Sequence, residues 1–91
     1  MGNADSVKSL LGQISELLRS HGEVGWADSL QRLASEYESS PQATKAKVRS
    51  IYGGMESFND IVLHDSGARP LGDENDALNT LRSRLYAECW T

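Results

Sequence analysis

The sequence predicts a mainly α-helical fold: a compact bundle of about four amphipathic helices, with a short extended segment or β-hairpin between the third and fourth helices. Three observations lead to this prediction. Apolar residues recur with helical spacing along most of the chain. Two adjacent glycines, Gly53-Gly54, interrupt that spacing. A β-branched apolar triplet and a turn-rich loop follow before helical spacing resumes. The length of 91 residues predicts a single domain, residues 1–91.

The first predicted helix carries one continuous apolar stripe, whose members lie mostly three or four residues apart. These members are Val7, Leu10, Leu11, Ile14, Leu17 and Leu18. Either Asp5 or Ser6 is suited to cap the start of the helix, because both side chains accept hydrogen bonds from free backbone N–H groups. His21-Gly22 is suited to end it, with glycine at the position that favours a left-handed backbone. Only one side of this helix is therefore predicted to be buried.

The short connection Gly22–Gly25 predicts that the second helix is an antiparallel neighbour of the first. Its apolar residues again share one helix face. They are Trp26, Leu30, Leu33, Ala34 and Tyr37. No Ser, Thr or Asn occupies the expected N-cap, so the start of this helix is weakly marked. We expect the helix to end near Ser39.

The third helix is predicted to begin at Ser40-Pro41, with serine at the N-cap and proline at the first helical position. Val48, Ile51 and Tyr52 would share one face, and Met55 would continue the same spacing. Gly53-Gly54 is expected to end the regular helix before Met55 is reached.

The next segment has the composition of a short strand. Ile61-Val62-Leu63 is apolar and partly β-branched, and Asp65-Ser66-Gly67 is typical of a turn. Arg69-Pro70-Leu71 is a candidate return strand of a small hairpin, which proline would confine to a sheet edge. Because an isolated hairpin is only marginally stable, this segment is expected to pack against the helices.

The last helix is predicted to begin at Asp73, with an inner stripe and a polar distribution that both fit a helix. The stripe consists of Leu78, Leu81, Leu85 and Cys89. Acidic residues crowd the first turn, while Arg82 and Arg84 lie towards the C-terminal half, as the helix dipole favours. Tyr86 and Trp90 are four residues apart and are expected to pack together on a flank.

Charge and composition exclude several classes of function. The net charge is −4 and evenly spread, which opposes nucleic-acid binding because that requires clustered Lys and Arg. A single cysteine, Cys89, fits a reducing compartment. Apolar runs are too short to span a bilayer, and the N-terminus lacks a secretory signal pattern. The sequence therefore predicts a cytoplasmic protein that binds neither nucleic acid nor membranes.

Three segments together have a familiar pattern: Leu18–Ala27, Tyr52–Leu63 and Ala77-Leu78-Asn79. On these segments the chain resembles a family of small, uncharacterised bacterial proteins, a domain of unknown function, with an HGE-x-x-W-A turn and a YGGMGSFNDLVL-like segment. The resemblance covers most of the chain. It implies a cytoplasmic, single-domain protein, and it implies no activity or catalytic residue. Glu56 replaces the third glycine of the second motif, and a carboxylate there opposes an anion-binding loop.

The residues that follow Tyr52 have a structural and a functional interpretation. The Gly53-Gly54 pair is reminiscent of a phosphate-binding loop, but those loops follow a strand, so a helix C-cap and turn is favoured. Ser57, Asn59 and Asp60 are turn formers, for which structural use is favoured over a binding role.

Acid–base and metal chemistry find little support in the sequence. Asp60 and His64 would be separated by about 13 Å in an extended segment and would be neighbours only in a helix. No cofactor or metal is predicted, because the candidate ligands match no known zinc spacing. Those ligands are His21, Glu23, His64, Asp65 and Cys89.

Three other features are interpreted as structural. Cys89 lies on an apolar stripe and is expected to be a small buried residue rather than a nucleophile. Trp26 and Trp90 are assigned to the core or a flank, although a partly exposed tryptophan would indicate a partner surface. A small basic patch on the third helix is interpreted as a solvated helix face. It consists of Lys45, Lys47 and Arg49.

The leading functional hypothesis is a non-enzymatic binding or protein-interaction module, immunity-like or regulatory in one version, acting as a monomer or homodimer with another protein as partner. The alternative is a small enzyme or ligand-binding protein that uses Gly53–His64, with Asp60 or His64 as acid or base; an enzyme is the less favoured of the two. The candidate binding residues are Gly53, Gly54, Met55, Ser57, Phe58, Asn59, Asp60, His21, Glu23 and Trp26.

Overall fold

A computed structural model describes residues 3–52, 58, 61–64, 67 and 69–90, and the side chains from residue 7 onwards. These residues form four helices: α1 (Asn3–Ser20), α2 (Val24–Ser39), α3 (Pro41–Ser50) and α4 (Gly72–Glu88). The predicted mainly α-helical bundle is confirmed. No helix within the described ranges has both the length and the apolar character that crossing a bilayer requires.

Helix α1 packs against both α2 and α4, and α2 also packs against α3. The predicted stripe of α1 is buried except for Leu17, which packs on the edge of the core. Each buried leucine or isoleucine contributes about 1.5–3 kcal/mol relative to an exposed one. The buried hydroxyl of Ser15 donates to the carbonyl of Ala27 at 2.8 Å and ties α1 to α2. Helix α1 is already helical at Asn3, so the predicted caps Asp5 and Ser6 lie inside it.

The turn between α1 and α2 ends the first helix as its sequence predicted. Gly22 has a φ of 86°, in the left-handed region that glycine adopts without steric cost. The N–H of Gly22 donates to the carbonyl of Arg19 at 3.3 Å, and the N–H of Glu23 donates to the carbonyl of Leu18 at 2.9 Å. This pair of bonds is a Schellman motif, which satisfies carbonyls that the helix end would leave free.

Helix α2 ends at Ser39, and Ser40 links it to α3. Ser40 occupies the predicted N-cap and Pro41 the first helical position, although the Ser40 hydroxyl makes no capping bond. Helix α3 ends at Ser50, before Gly53-Gly54, as predicted. Gly53 and Gly54 themselves lie outside the described residues.

The predicted β-hairpin is not supported by the described part of residues 61–71. An isolated antiparallel bridge joins His64 to Pro70, and the N–H of Leu71 donates to the carbonyl of Leu63 at 3.0 Å. The physical reason lies in α4. The side-chain amide of Asn75 accepts from the N–H of Leu63 at 2.7 Å and donates to its carbonyl at 2.9 Å. The Asn75 side chain therefore satisfies the N–H of Leu63 and shares the Leu63 carbonyl with the N–H of Leu71, so a regular second strand is not needed to bond these groups.

Helix α4 begins at Gly72, one residue before the predicted start, with Asp73 and Glu74 in its first turn. Its inner stripe is confirmed, since Leu78, Leu85 and Cys89 are buried and Leu81 packs partly against the core.

Candidate functional site

Aromatic rings join α2, α3 and α4 into one continuous series of contacts. The chain has six aromatic residues, and five of them take part in the series, which we call the aromatic ladder. In order they are Trp26, Phe58, Tyr52, Tyr86 and Trp90. Successive ring centroids lie 5.4, 5.2, 4.8 and 5.9 Å apart, within the range of favourable aromatic pairs.

The aromatic ladder leads from the core to the surface. Phe58 is completely buried, whereas Trp26 and Tyr52 are partly buried. Tyr86 is 39% exposed and Trp90 is 64% exposed. The ladder therefore has a buried end, formed by Trp26 and Phe58, and an exposed end, formed by Tyr86 and Trp90.

The buried end is organised by Arg82, whose guanidinium lies 5.9 Å from the centroid of the Phe58 ring. Nη1 of Arg82 donates to the carbonyl of Phe58 at 2.7 Å and to the carbonyl of Ile61 at 3.2 Å, while Nη2 donates to the side-chain oxygen of Asn79. Only 6% of Arg82 is exposed. The Arg82 side chain therefore binds the backbone of the segment between α3 and α4, a role that its position in the C-terminal half of the helix did not indicate.

Tyr52 completes this arrangement from the end of α3. Its hydroxyl donates to the backbone carbonyl of Arg82 at 2.7 Å. Burial raises the pKa of Tyr52 well above its usual range. The phenol therefore keeps its proton, and the donor, across the physiological pH range.

The polar residues of α4 that hold the segment share one helix face. Asn75, Asn79 and Arg82 are spaced four and three residues apart, which places them one above another. We call them the polar stripe. The sequence analysis did not identify the polar stripe, although its signal is present in the sequence as a polar row at helical spacing beside Leu78 and Leu85.

The exposed end is built around Arg49 of α3. Its guanidinium carbon lies 4.5 Å from the centroid of the Trp90 ring, and Nη1 donates to the carbonyl of Cys89. That carbonyl lies at the end of α4, where backbone acceptors lack intrahelical donors and the helix dipole is negative. We call Arg49, Tyr86 and Trp90 the exposed patch.

The basic patch of α3 is not the solvated face that the sequence predicted. Only 6% of Lys45 is exposed, and Lys45 precedes Arg49 by one helical turn. Lys47 is exposed and forms an ion pair with Glu36 at 2.6 Å. The helix surface is thus divided: Lys45 packs inward, Arg49 binds the end of α4, and Lys47 faces α2.

Cys89 is buried, as predicted. Burial raises the pKa of its thiol, against the opposite influence of the nearby cations Arg49 and Lys45. A buried thiol that keeps its proton is a poor nucleophile. Among the side chains that the structure describes, no group of three or more His, Cys, Asp and Glu residues is placed to hold a metal ion.

Of the predicted binding residues, the structure describes His21, Glu23, Trp26 and Phe58. Trp26 contacts Phe58, but Phe58 is completely buried and belongs to the core, which corrects its assignment to a surface. The Nδ1 atom of His21 lies 2.9 Å from the carbonyl of Leu17, as expected for a histidine at a helix end, and Nε2 lies 3.9 Å from the carboxylate of Glu74.

Two further residues from the sequence analysis, Glu23 and His64, lie in the described part of the chain. Glu23 is the N-cap residue of α2 and makes no side-chain capping bond, and the exposed His64 belongs to the bridge with Pro70. The other predicted binding residues lie outside the described residues. They are Gly53, Gly54, Met55, Ser57, Asn59 and Asp60.

Comparison with known proteins gives one family match. A family model described as a domain of unknown function (DUF6966) matches residues 19–71. The matched region contains Trp26, Tyr52 and Phe58 of the aromatic ladder, whereas Tyr86 and Trp90 follow it. Searches of curated proteins and of solved structures found no match.

Proposed function

The chain belongs to the family described as a domain of unknown function (DUF6966), and within it we propose that this protein is a non-enzymatic protein-interaction module. Its contact surface is the exposed patch of Arg49, Tyr86 and Trp90. One observation carries the proposal: Trp90 is 64% exposed and is nevertheless fixed between Tyr86 and Arg49. Large apolar side chains held at a surface are typical of binding sites.

The fixed position of Trp90 supports binding because it lowers the entropic cost of association. A partner that covers an already ordered side chain does not need to immobilise it, so more of the contact energy contributes to affinity. Trp, Tyr and Arg are also the residue types that most often dominate binding energy in protein interfaces. All three occur together in the exposed patch.

The pKa values of two titratable groups near the exposed patch favour binding over catalysis. Burial raises the pKa of Tyr52 and of Cys89, so both groups are held in their protonated forms. An activated nucleophile or base requires the opposite tuning. The proposal therefore does not include an enzymatic step.

The segment Gly53–Asp60 is proposed as a second contact region, because it continues the chain from Tyr52 through Phe58. The protein is also proposed to be cytoplasmic, to form a single domain and to have another protein as its partner. The supporting observations are the single cysteine and a net charge of −4 without a basic tail.

The test is affinity capture from native lysate with quantitative mass spectrometry. The immobilised full chain is compared with Trp90→Ala and with the control Val24→Ala, since Val24 is an exposed apolar residue (47%) on α2. We expect a partner that both the wild type and Val24→Ala retain and that Trp90→Ala retains about thirtyfold less, the minimum loss for a hot-spot residue. Equal retention by Trp90→Ala would place the contact surface elsewhere.

A further inference from the structure

We infer that the partner presents an acidic peptide segment, in which an Asp or Glu carboxylate lies next to an apolar or aromatic side chain. In this complex the carboxylate pairs with Arg49 and the apolar side chain packs on Trp90 and Tyr86. The inference rests on the proposed function and adds to it the chemistry of the partner.

The charge of Arg49 is the first argument. Ion pairs between described residues engage Lys8, Arg19 and Lys47, and His21 lies near the carboxylate of Glu74. None of them includes Arg49, and within the described ranges no carboxylate lies at ion-pair distance from its guanidinium. The chain has 13 acidic and 9 basic residues, so a guanidinium that has no described carboxylate at ion-pair distance, beside an aromatic surface, is complementary to an anion supplied from outside.

The geometry of Arg49 is the second argument. A guanidinium has five N–H donors, and the bond to the Cys89 carbonyl engages Nη1. The cation–π contact and that bond restrict the position of the group, which reduces the entropy lost when a carboxylate binds it through two N–H groups.

The occupied face of Trp90 excludes the opposite class of ligand. A cationic ligand such as lysine or methyl-lysine would bind an aromatic ring through its negative π-face. The Arg49 guanidinium already lies over the Trp90 ring at 4.5 Å and would repel a second cation. Lys45, one turn earlier on α3, adds a second positive charge on the same side of the helix.

The exposed rings supply the second half of the recognition surface. The exposed 64% of Trp90 and 39% of Tyr86 offer apolar area beside the cation. A carboxylate alone would leave this area in water, whereas an adjacent leucine, isoleucine or aromatic side chain would cover it. The two features together define an acidic and apolar pair of neighbouring residues.

The experiment selects random peptides displayed on phage against the immobilised full chain. We expect enriched peptides to carry Asp or Glu within two positions of an apolar residue. One enriched peptide and its Glu→Gln counterpart (Asp→Asn where the acid is Asp) are then titrated against the wild type and Arg49→Gln, which retains an N–H donor for the Cys89 carbonyl. Circular dichroism and urea unfolding verify that Arg49→Gln is folded.

The inference predicts that either single change weakens binding about tenfold and that the second change then adds little, as for a direct charge pair. Enrichment of basic or uncharged peptides, or the absence of any binding peptide, would overturn it. The inference would also be overturned if the Glu→Gln or Asp→Asn change in the peptide weakened binding to the wild type and to Arg49→Gln by the same factor.

Two further outcomes separate the inference from the proposed function. A peptide that requires Trp90 but binds Arg49→Gln with full affinity would contradict the acidic partner and leave the interaction module intact. Peptides that bind Trp90→Ala unchanged would contradict both. A homodimer in analytical ultracentrifugation that Trp90→Ala dissociates would assign the exposed patch to a second copy of the chain and would overturn the acidic partner.

Discussion

The two ends of the aromatic ladder use the same pair of groups in opposite surroundings. At the buried end the Arg82 guanidinium lies 5.9 Å from the Phe58 ring, and at the exposed end the Arg49 guanidinium lies 4.5 Å from the Trp90 ring. Arg82 is 6% exposed and donates to two backbone carbonyls and to Asn79. Arg49 is bound to one carbonyl beside a ring that is 64% exposed.

This difference shows that burial, rather than the arginine–aromatic contact itself, determines whether the pair stabilises the fold or is available for binding. In the interior, a carbonyl that loses its donor has no ready replacement in water, so each of the bonds made by Arg82 matters for stability. At the surface, water replaces lost bonds, and a cation–π contact contributes only about 0.5–1 kcal/mol. The buried pair therefore stabilises the segment between α3 and α4, while the exposed pair remains available for a partner.

The largest expected effect is that of Arg82→Met, which keeps an unbranched apolar side chain but removes all donors. We expect the free energy of unfolding to fall by about 3 kcal/mol, because the carbonyls of Phe58 and Ile61 lose their buried donor. Urea denaturation measures the change. The control is Arg84→Met, an exposed arginine on the same helix that should stay within about 0.5 kcal/mol of the wild type. A loss below about 1 kcal/mol for Arg82→Met would show that the guanidinium does not hold the segment.

The second effect concerns Asn75, whose side chain forms hydrogen bonds with the backbone of Leu63. Asn75→Ala removes the bonds to the N–H and carbonyl of Leu63 and the bond to the Leu71 carbonyl at 2.6 Å. We expect a loss of about 2 kcal/mol in the free energy of unfolding and faster hydrogen exchange at the Leu63 amide. Thr80→Ala, an exposed change on α4, is the control. Unchanged exchange at Leu63 would contradict the assigned role of Asn75.

The third effect is a dependence of stability on pH at the alkaline end. Burial raises the pKa of Tyr52 and of Cys89 in the folded protein, so the folded state keeps protons that the unfolded state loses. The contribution of these protons to the free energy of unfolding is complete at pH values below the ordinary pKa values, about 8.5 for cysteine and 10 for tyrosine. Above them it should fall by up to about 1.4 kcal/mol per pH unit for each group.

This pH dependence can be assigned by substitution. Tyr52→Phe and Cys89→Ala should each flatten the alkaline fall in the free energy of unfolding, and Tyr52→Phe should also cost about 1 kcal/mol at neutral pH through the lost bond to the Arg82 carbonyl. Denaturation curves collected from neutral to alkaline pH measure both effects. An identical slope in all three proteins would contradict the burial of these groups.

Much of the helical architecture could be predicted from local signals. The left-handed Gly22, the Ser40-Pro41 start and the stop before Gly53 all depend on residues close together in the chain. The apolar stripes of α1 and α4 also followed from spacing alone. Each of these features is set within a few turns of helix, which is the range over which sequence patterns are informative.

The candidate site could not be predicted in the same way, because its parts come from distant segments. Arg82 binds backbone groups more than 20 residues earlier, and Arg49 binds the Cys89 carbonyl 40 residues later. A backbone carbonyl has no signature in the sequence, so neither arginine could be paired with its acceptor. The β-branched segment Ile61-Val62-Leu63 favoured a hairpin for the same reason: nothing local indicated that Asn75 would satisfy Leu63.

The smallest expected effect on stability completes the comparison. Trp90→Ala should lower the free energy of unfolding by only about 1 kcal/mol, because most of the ring is exposed and only its contacts with Tyr86 and Arg49 are lost. The same substitution should give the largest loss of partner binding, whereas Arg82→Met should act on binding only as far as it unfolds the protein. Urea denaturation and partner capture on the same two variants measure both quantities. A Trp90→Ala variant as unstable as Arg82→Met would mean that the exposed patch is a structural element of the fold, since a side chain retained for recognition should contribute little to stability before its partner arrives.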